Sequence, residues 1–120
     1  MNLKAQWEIE KSELMPIIEA VLASGNYVGG EVVDQFETAI SKFLESPYCV
    51  AVNSCTDALV LGLAALGVRR GDEVITPPNS FIASTAAIVH LGATPVFVDV
   101  LPSQSIDPNL VKKAITKNIF

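Results

Sequence analysis

Asn53-Ser54-Cys55-Thr56-Asp57 is the stretch of this 120-residue chain whose residue types best suit a ligand. Small hydroxyl residues at a helix start leave backbone N–H groups without intrahelical acceptors, and the helix dipole favours an anion there. Ser54 and Thr56 add hydroxyl donors, and Cys55 is small enough to let a ligand approach the main chain closely. This is not a Walker loop, because the Gly-Lys-Ser/Thr element is missing, and it is not GxGxxG. Ordinary helix capping is the more common use of such residues. A second stretch, Asn79-Ser80-Phe81-Ile82-Ala83, sets an aromatic just after polar loop residues. Such a ring can lie flat on a planar ligand or staple a helix start to the core. Asp99, at the end of PVFVDV, is either a charged group for chemistry or the cap of the next loop. Cys55 as a nucleophile would need a base, and no histidine lies near it in sequence.

The elements that must hold these residues follow from pattern. Ser12 can cap a helix with Pro16 in its first turn, and Leu14, Ile17, Ile18, Val21 and Leu22 then mark one apolar face that Gly25 ends. After Asn26-Tyr27-Val28-Gly29-Gly30, a second helix carries Val32, Val33, Phe36, Ile40, Phe43 and Leu44, and Ser46-Pro47 stops it. From residue 48 the texture changes. Tyr48–Val52 reads as a strand, residues 53–67 as a helix closed by Gly67, Glu73–Thr76 as a strand, a helix follows to Leu91, and Pro95–Val100 is a third strand. Asp107-Pro108 opens a last helix through Ile115. Strands alternating with helices predict a parallel sheet with right-handed crossovers. In such sheets ligands sit outside the carboxyl ends of the strands, where both candidate loops fall. The expected division is residues 1–47, helical, and 48–120, the start of an α/β domain. The pattern stops at Ile119-Phe120, where the next strand is due, so the chain is expected to be cut short.

Composition narrows the function classes. Half of the residues are hydrophobic and 18% are charged, which is the profile of a folded domain. The formal charge is −5 and the acid excess lies in residues 1–50, so no basic stripe points to nucleic acid. Cys49 and Cys55 make no disulfide framework, and no Cys/His cluster has metal-ligand spacing. His90 is the sole histidine and reads as a helix-end residue. MNLKAQWEIEK has no apolar core of a signal peptide, and no stretch is long enough to span a bilayer, so a cytoplasmic protein with no membrane partner is expected.

Taken together, SGNYVGGEVVDQFE, VNSCTDALVLGLAALGVRRGDEVITPPNSFIAS and LGATPVFVDV resemble the DegT/DnrJ/EryC1/StrS family of aminotransferases. The likeness runs over essentially the whole chain, and the ordered set SxT-x-AL, LG-x-x-x-GDEVI and GA-x-PVFVDV is what makes it specific. The resemblance implies the N-terminal part of the large domain of a pyridoxal-phosphate (PLP) enzyme, an α/β fold of the aspartate-aminotransferase type with a mostly parallel sheet flanked by helices. It implies amination of a nucleotide-linked keto sugar, in polysaccharide biosynthesis among other settings, with glutamate as amino donor and a homodimer as the working form.

By the same resemblance, Ser54, Cys55 and Thr56 hold the PLP phosphate, partly through main-chain amides. Phe81 stacks on the pyridine ring, and Asn26 and Tyr27 line the sugar-nucleotide side. A glycine is common where Cys55 stands, a mild departure. GDEVI (Gly71–Ile75) is structural, a turn followed by a core strand. The Schiff-base lysine, and the aspartate that pairs with the ring nitrogen, fall beyond Phe120, so no catalytic residue is expected here; Lys112, Lys113 and Lys117 match neither position. A sugar dehydratase of the same family, with histidine in place of that lysine, fits these residues equally. A non-catalytic phosphate-binding α/β module is the alternative outside enzymes.

Overall fold

The computed structural model describes residues 2–120, which fall into two compact units divided between Ala51 and Val52. The first unit is helical. Helix α1 spans Leu3–Ser24, with the Asn2 side chain accepting from the Ala5 N–H at 3.1 Å. It therefore starts nine residues before the Ser12 cap that Pro16 suggests, and Pro16 lies inside it. The stretch Leu3–Glu13 is rich in Lys, Ala, Gln, Glu and Leu, all strong helix formers, and their summed preference carries the helix through the one bond that proline removes. Gly25 ends α1 in the left-handed region (φ 72°), and its N–H donates to the Leu22 carbonyl.

Helix α2, Glu31–Phe43, has no side-chain cap, but Glu31 and Asp34 in its first turn and Lys42 in its last match the helix dipole. Beyond it, Ser41 Oγ donates to the Ser46 carbonyl (2.6 Å), and the Ala51 N–H donates to Glu37 Oε1 (2.7 Å), which ties the following segment back to α2. Residues 48–52 form no strand, contrary to the expectation from their apolar, β-branched run. A strand is defined by its ladder, and no described segment pairs with this one; Tyr48 and Val50 are 84% and 76% exposed.

The second unit is α/β. Helix α3, Cys55–Leu66, is followed by strand β1, Glu73–Thr76, helix α4, Ile82–His90, strand β2, Thr94–Phe97, and helix α5, Pro108–Ala114. Strands β1 and β2 are parallel, in register from Glu73 against Thr94 to Thr76 against Phe97. The ladder of β2 stops at Phe97 rather than Val100, because beyond it the chain turns into its own loop, with Val100 bridging Ile106. On the other edge of β1, Ile119 pairs in parallel with Glu73, whose N–H and carbonyl both bond to residues 118–120. Thr116 Oγ1 adds a bond to Glu73 Oε2 at 2.6 Å.

The core sits between α3, α4 and the strands. Val68, Ile88 and Ala93 are buried against Leu63, Val74 and Leu91, and Ala83, Ala87 and Val98 are buried as well. Alanines on the inner face of α4 let the helix approach its neighbours closely, which is how short elements exclude water. Gly67, at φ 100°, reverses the chain from α3 toward β1. Among the described residues no helix is long and apolar enough to cross a membrane.

Candidate functional site at the carboxyl side of the sheet

Chain direction decides which ends face the same way. The last turn of α3 leads into β1 through residues 67–72, and the last turn of α4 leads into β2 through residues 91–93. Arg70 and Gly92, one from each connection, lie against each other, so both helices end on the amino side of the strands. Helices α3 and α4 pack together, and their first turns therefore lie on the opposite, carboxyl side. That side receives Ser54-Cys55-Thr56 from α3 and the loop 77–81 from β1.

At α3, Ser54 is the cap, in extended conformation (φ −155°, ψ 157°). Its Oγ accepts from the Asp57 N–H at 3.1 Å and donates to Asp57 Oδ2 at 3.0 Å. The hydroxyl of Ser54 is thus committed within the chain, which the sequence does not reveal; an Asp three residues after a Ser is the signal that could have suggested it. Among the described residues the amides of Cys55 and Thr56 have no acceptor, and neither does the Thr56 hydroxyl. Two N–H groups and one O–H, exposed at the positive end of a helix of 12 residues, form a donor set for an anion. The Asp57 carboxylate, half-buried in the same turn, faces the Ser54 hydroxyl and so leaves those donors free.

Phe81 occupies the cap position of α4 but offers no side-chain cap, and its ring is 77% exposed. It is not stapled to the core. Beside it Ser80 and Ser84 hydroxyls lie 2.9 Å apart, and the Ser84 N–H donates to the Phe81 carbonyl. An exposed phenyl ring and the unpartnered donors of a helix start thus stand on one side of the sheet. The donor chemistry and the exposed aromatic both suit pyridoxal phosphate.

Asn26 and Tyr27 belong to the helical unit. The Asn26 N–H donates to Ser24 Oγ (3.1 Å), and the Tyr27 hydroxyl donates to the Leu22 carbonyl (3.0 Å), with the ring 66% exposed. Asp99 is exposed and caps its own loop: Oδ1 accepts from Val100 N–H and the carbonyl from Asp107 N–H. His90 ends α4, exposed. Cys49 and Cys55 are free, and among the described residues no His, Cys, Asp and Glu cluster could hold a metal. Lys112 and Lys113 are exposed in the last turn of α5, remote in chain direction from the first turns of α3 and α4.

The chain is similar to known proteins over nearly its whole length. The family model of the DegT/DnrJ/EryC1/StrS aminotransferases matches residues 8–119. The dTDP-3-amino-3,4,6-trideoxy-alpha-D-glucose transaminase of Streptomyces venezuelae is 43% identical over 117 residues, 97% of this chain and 31% of its own length. The crystal structure of DesV from S. venezuelae superposes with a TM-score of 0.90 at 42% identity, over 98% of this chain and 32% of that one. NtdA of Bacillus subtilis, solved with bound PMP cofactor, superposes with a TM-score of 0.84 at 39% identity, over 92% of this chain and 26% of that one. The chain thus spans about a third or less of the length of these relatives. With the match running through both helical and α/β units, the chain belongs to the DegT/DnrJ/EryC1/StrS aminotransferase family.

Proposed function

We propose that this chain anchors pyridoxal phosphate in an enzyme that transfers an amino group to a nucleotide-linked keto sugar. The observation that carries the reading is the pairing, on one side of the sheet, of free α3 amides with the exposed Phe81 ring. The cofactor, when bound, supplies an electron sink for moving an amino group between a donor and a keto acceptor. The residues of this chain bind and orient it. The Cys55 and Thr56 amides and the Thr56 hydroxyl hold the phosphate, Ser54 shapes that turn by capping it, and Phe81 covers one face of the ring. The charge of the phosphate would make these hydrogen bonds stronger than neutral ones, and the phenyl face would add an aromatic contact to the ring. Asn26 and Tyr27 belong to the sugar-nucleotide side of the reading. Glutamate as donor, a homodimer as the working form and a cytoplasmic location complete the reading, and a relative named 3-oxo-glucose-6-phosphate:glutamate aminotransferase supports the donor.

The test is a PLP titration of the full-length protein with Thr56→Val and Cys55→Gly. A hydrogen bond to a charged group contributes about 1.5–3 kcal/mol, so Thr56→Val should weaken cofactor affinity by about ten- to a hundredfold. Cys55→Gly should be close to silent, since only small size is demanded there. Unchanged affinity in Thr56→Val, with lowered stability of the cofactor-free protein, would reduce the turn to ordinary capping and remove it from the site.

A further inference from the structure

The loop after β2 contains an unexpected residue choice. Leu101-Pro102-Ser103-Gln104 is a tight turn in which the Gln104 N–H donates to the Leu101 carbonyl (2.8 Å), and the Leu101 N–H donates to the Ser105 carbonyl (2.8 Å). Val100 and Ile106 bridge below it, and the Asp107 N–H bonds to the Asp99 carbonyl, so the loop is a closed, self-supported hairpin. Gln104 follows the turn in the left-handed region, at φ 67°. Glycine or asparagine is the preferred occupant of that position, because a side chain there crowds the backbone. A glutamine in this conformation is retained at a cost, and its side chain shows a compensating contact. Gln104 Oε1 accepts a hydrogen bond from Asn79 Nδ2, 25 residues away in sequence. Asn79 stands two residues before Phe81, in the loop that leaves β1.

We propose that Gln104 is a positioning residue: through Asn79 it latches the rigid hairpin after β2 to the loop after β1, and so fixes where the Phe81 ring stands. The loop needs such a brace. Pro77 and Pro78 lack N–H groups, no side chain caps α4, and the Phe81 ring is not packed on the core. Among the described residues, the other hydrogen bonds on residues 77–81 are the Ser80–Ser84 contact and the bond from the Ser84 N–H to the Phe81 carbonyl, both local. The latch bonds side chains and leaves the ring face open. The consequence for the cofactor rests on the PLP reading above; the latch itself does not.

Gln104→Gly separates the two roles of the residue. It removes the amide side chain and relieves the left-handed strain, so a purely structural loss is not expected to accompany it. The experiment places 4-fluorophenylalanine at position 81 of the full-length protein and follows its 19F resonance without PLP, then titrates PLP. The expected result is a resonance that narrows and moves toward the position of a freely rotating ring, PLP affinity about threefold weaker, and a melting temperature no lower than the parent's. Asn79→Ala should reproduce the 19F change, and the double variant should add nothing to either single one. An unchanged resonance in Gln104→Gly or additive effects in the double variant would overturn the latch, and PLP affinity equal to the parent's would overturn its consequence for the cofactor. If the parent fails to retain PLP, the cofactor reading fails, and the 19F arm alone decides the latch.

Discussion

The helical unit and the α/β unit handle their apolar residues in opposite ways. In α1 and α2 no residue is buried, and the apolar row of α1 is mostly open, with Ile17 at 61% and Leu22 at 58% exposure and Val21 half-buried. In the α/β unit a few small or medium side chains are almost fully covered, down to 0% for Ala87 and 2% for Ile88. The first unit is held by local forces: helix formers, the Asn2 cap, the left-handed Gly25, and bonds from Ser41 and Glu37 to the segment that follows. The second is held by non-local contact between two helices and a parallel pair of strands. A helix can therefore be complete in hydrogen bonding and still leave its apolar face unused, whereas a parallel strand pair exists only because a helix covers it.

The largest expected effect tests that difference directly. Ile88→Ala removes buried methylenes from the centre of the core and should cost about 2–5 kcal/mol. Ile17→Ala, on the open face of α1, should stay within about 0.5 kcal/mol in the same protein. Urea denaturation of both variants measures this, and similar losses would show that the α1 face is covered in solution.

A smaller effect separates exposure with a purpose from exposure without one. Phe81→Ala in the full-length protein should weaken PLP retention by about 1–2 kcal/mol, with Tyr or Trp tolerated, while the cofactor-free melting temperature stays near the parent's. Since the ring is not packed on the core, a loss of stability equal with and without PLP would end the stacking role.

The smallest effect concerns the caps. Asp107 Oδ1 accepts from the Asn109 N–H (2.8 Å) and, more weakly, from the Leu110 N–H (3.4 Å), so Asp107→Ala should cost about 1 kcal/mol of the α/β unit's stability. Asn2→Ala, with a comparable cap bond at 3.1 Å, should instead fray the first turn of α1. Circular dichroism should then show a small loss of helix without a shift in the main unfolding transition. A shift of that transition by Asn2→Ala would mean that α1 and the α/β core unfold as one.

Much of the α/β unit was legible because its signals are local. Gly67 and Asp107-Pro108 mark chain reversals and starts by backbone preference alone, and the structure places α3 and α5 at those marks. The β-rich segments were harder. Glu73–Thr76 and Tyr48–Val52 look alike as apolar, β-branched runs, yet only the first is a strand, since it alone has β2 on one side and Ile119 on the other. The start of α1 is not legible from a proline near a possible cap, since the summed preference of the helix formers among residues 3–13 prevails in the chain.

The sequence by itself determined the order of elements from α3 to α5, the family signature and the residue types at the two strand-end loops, because turn chemistry, periodicity and motif spacing are properties of neighbours in the chain. Only the tertiary structure decided that Tyr48–Val52 finds no strand partner, that Phe81 stands in the open and that Gln104 reaches Asn79. Each of these depends on which groups are left over once backbone and core have taken their partners. A hydroxyl, a ring or an amide is available to a ligand or a distant loop only if nothing nearer has claimed it, and that competition is settled in three dimensions.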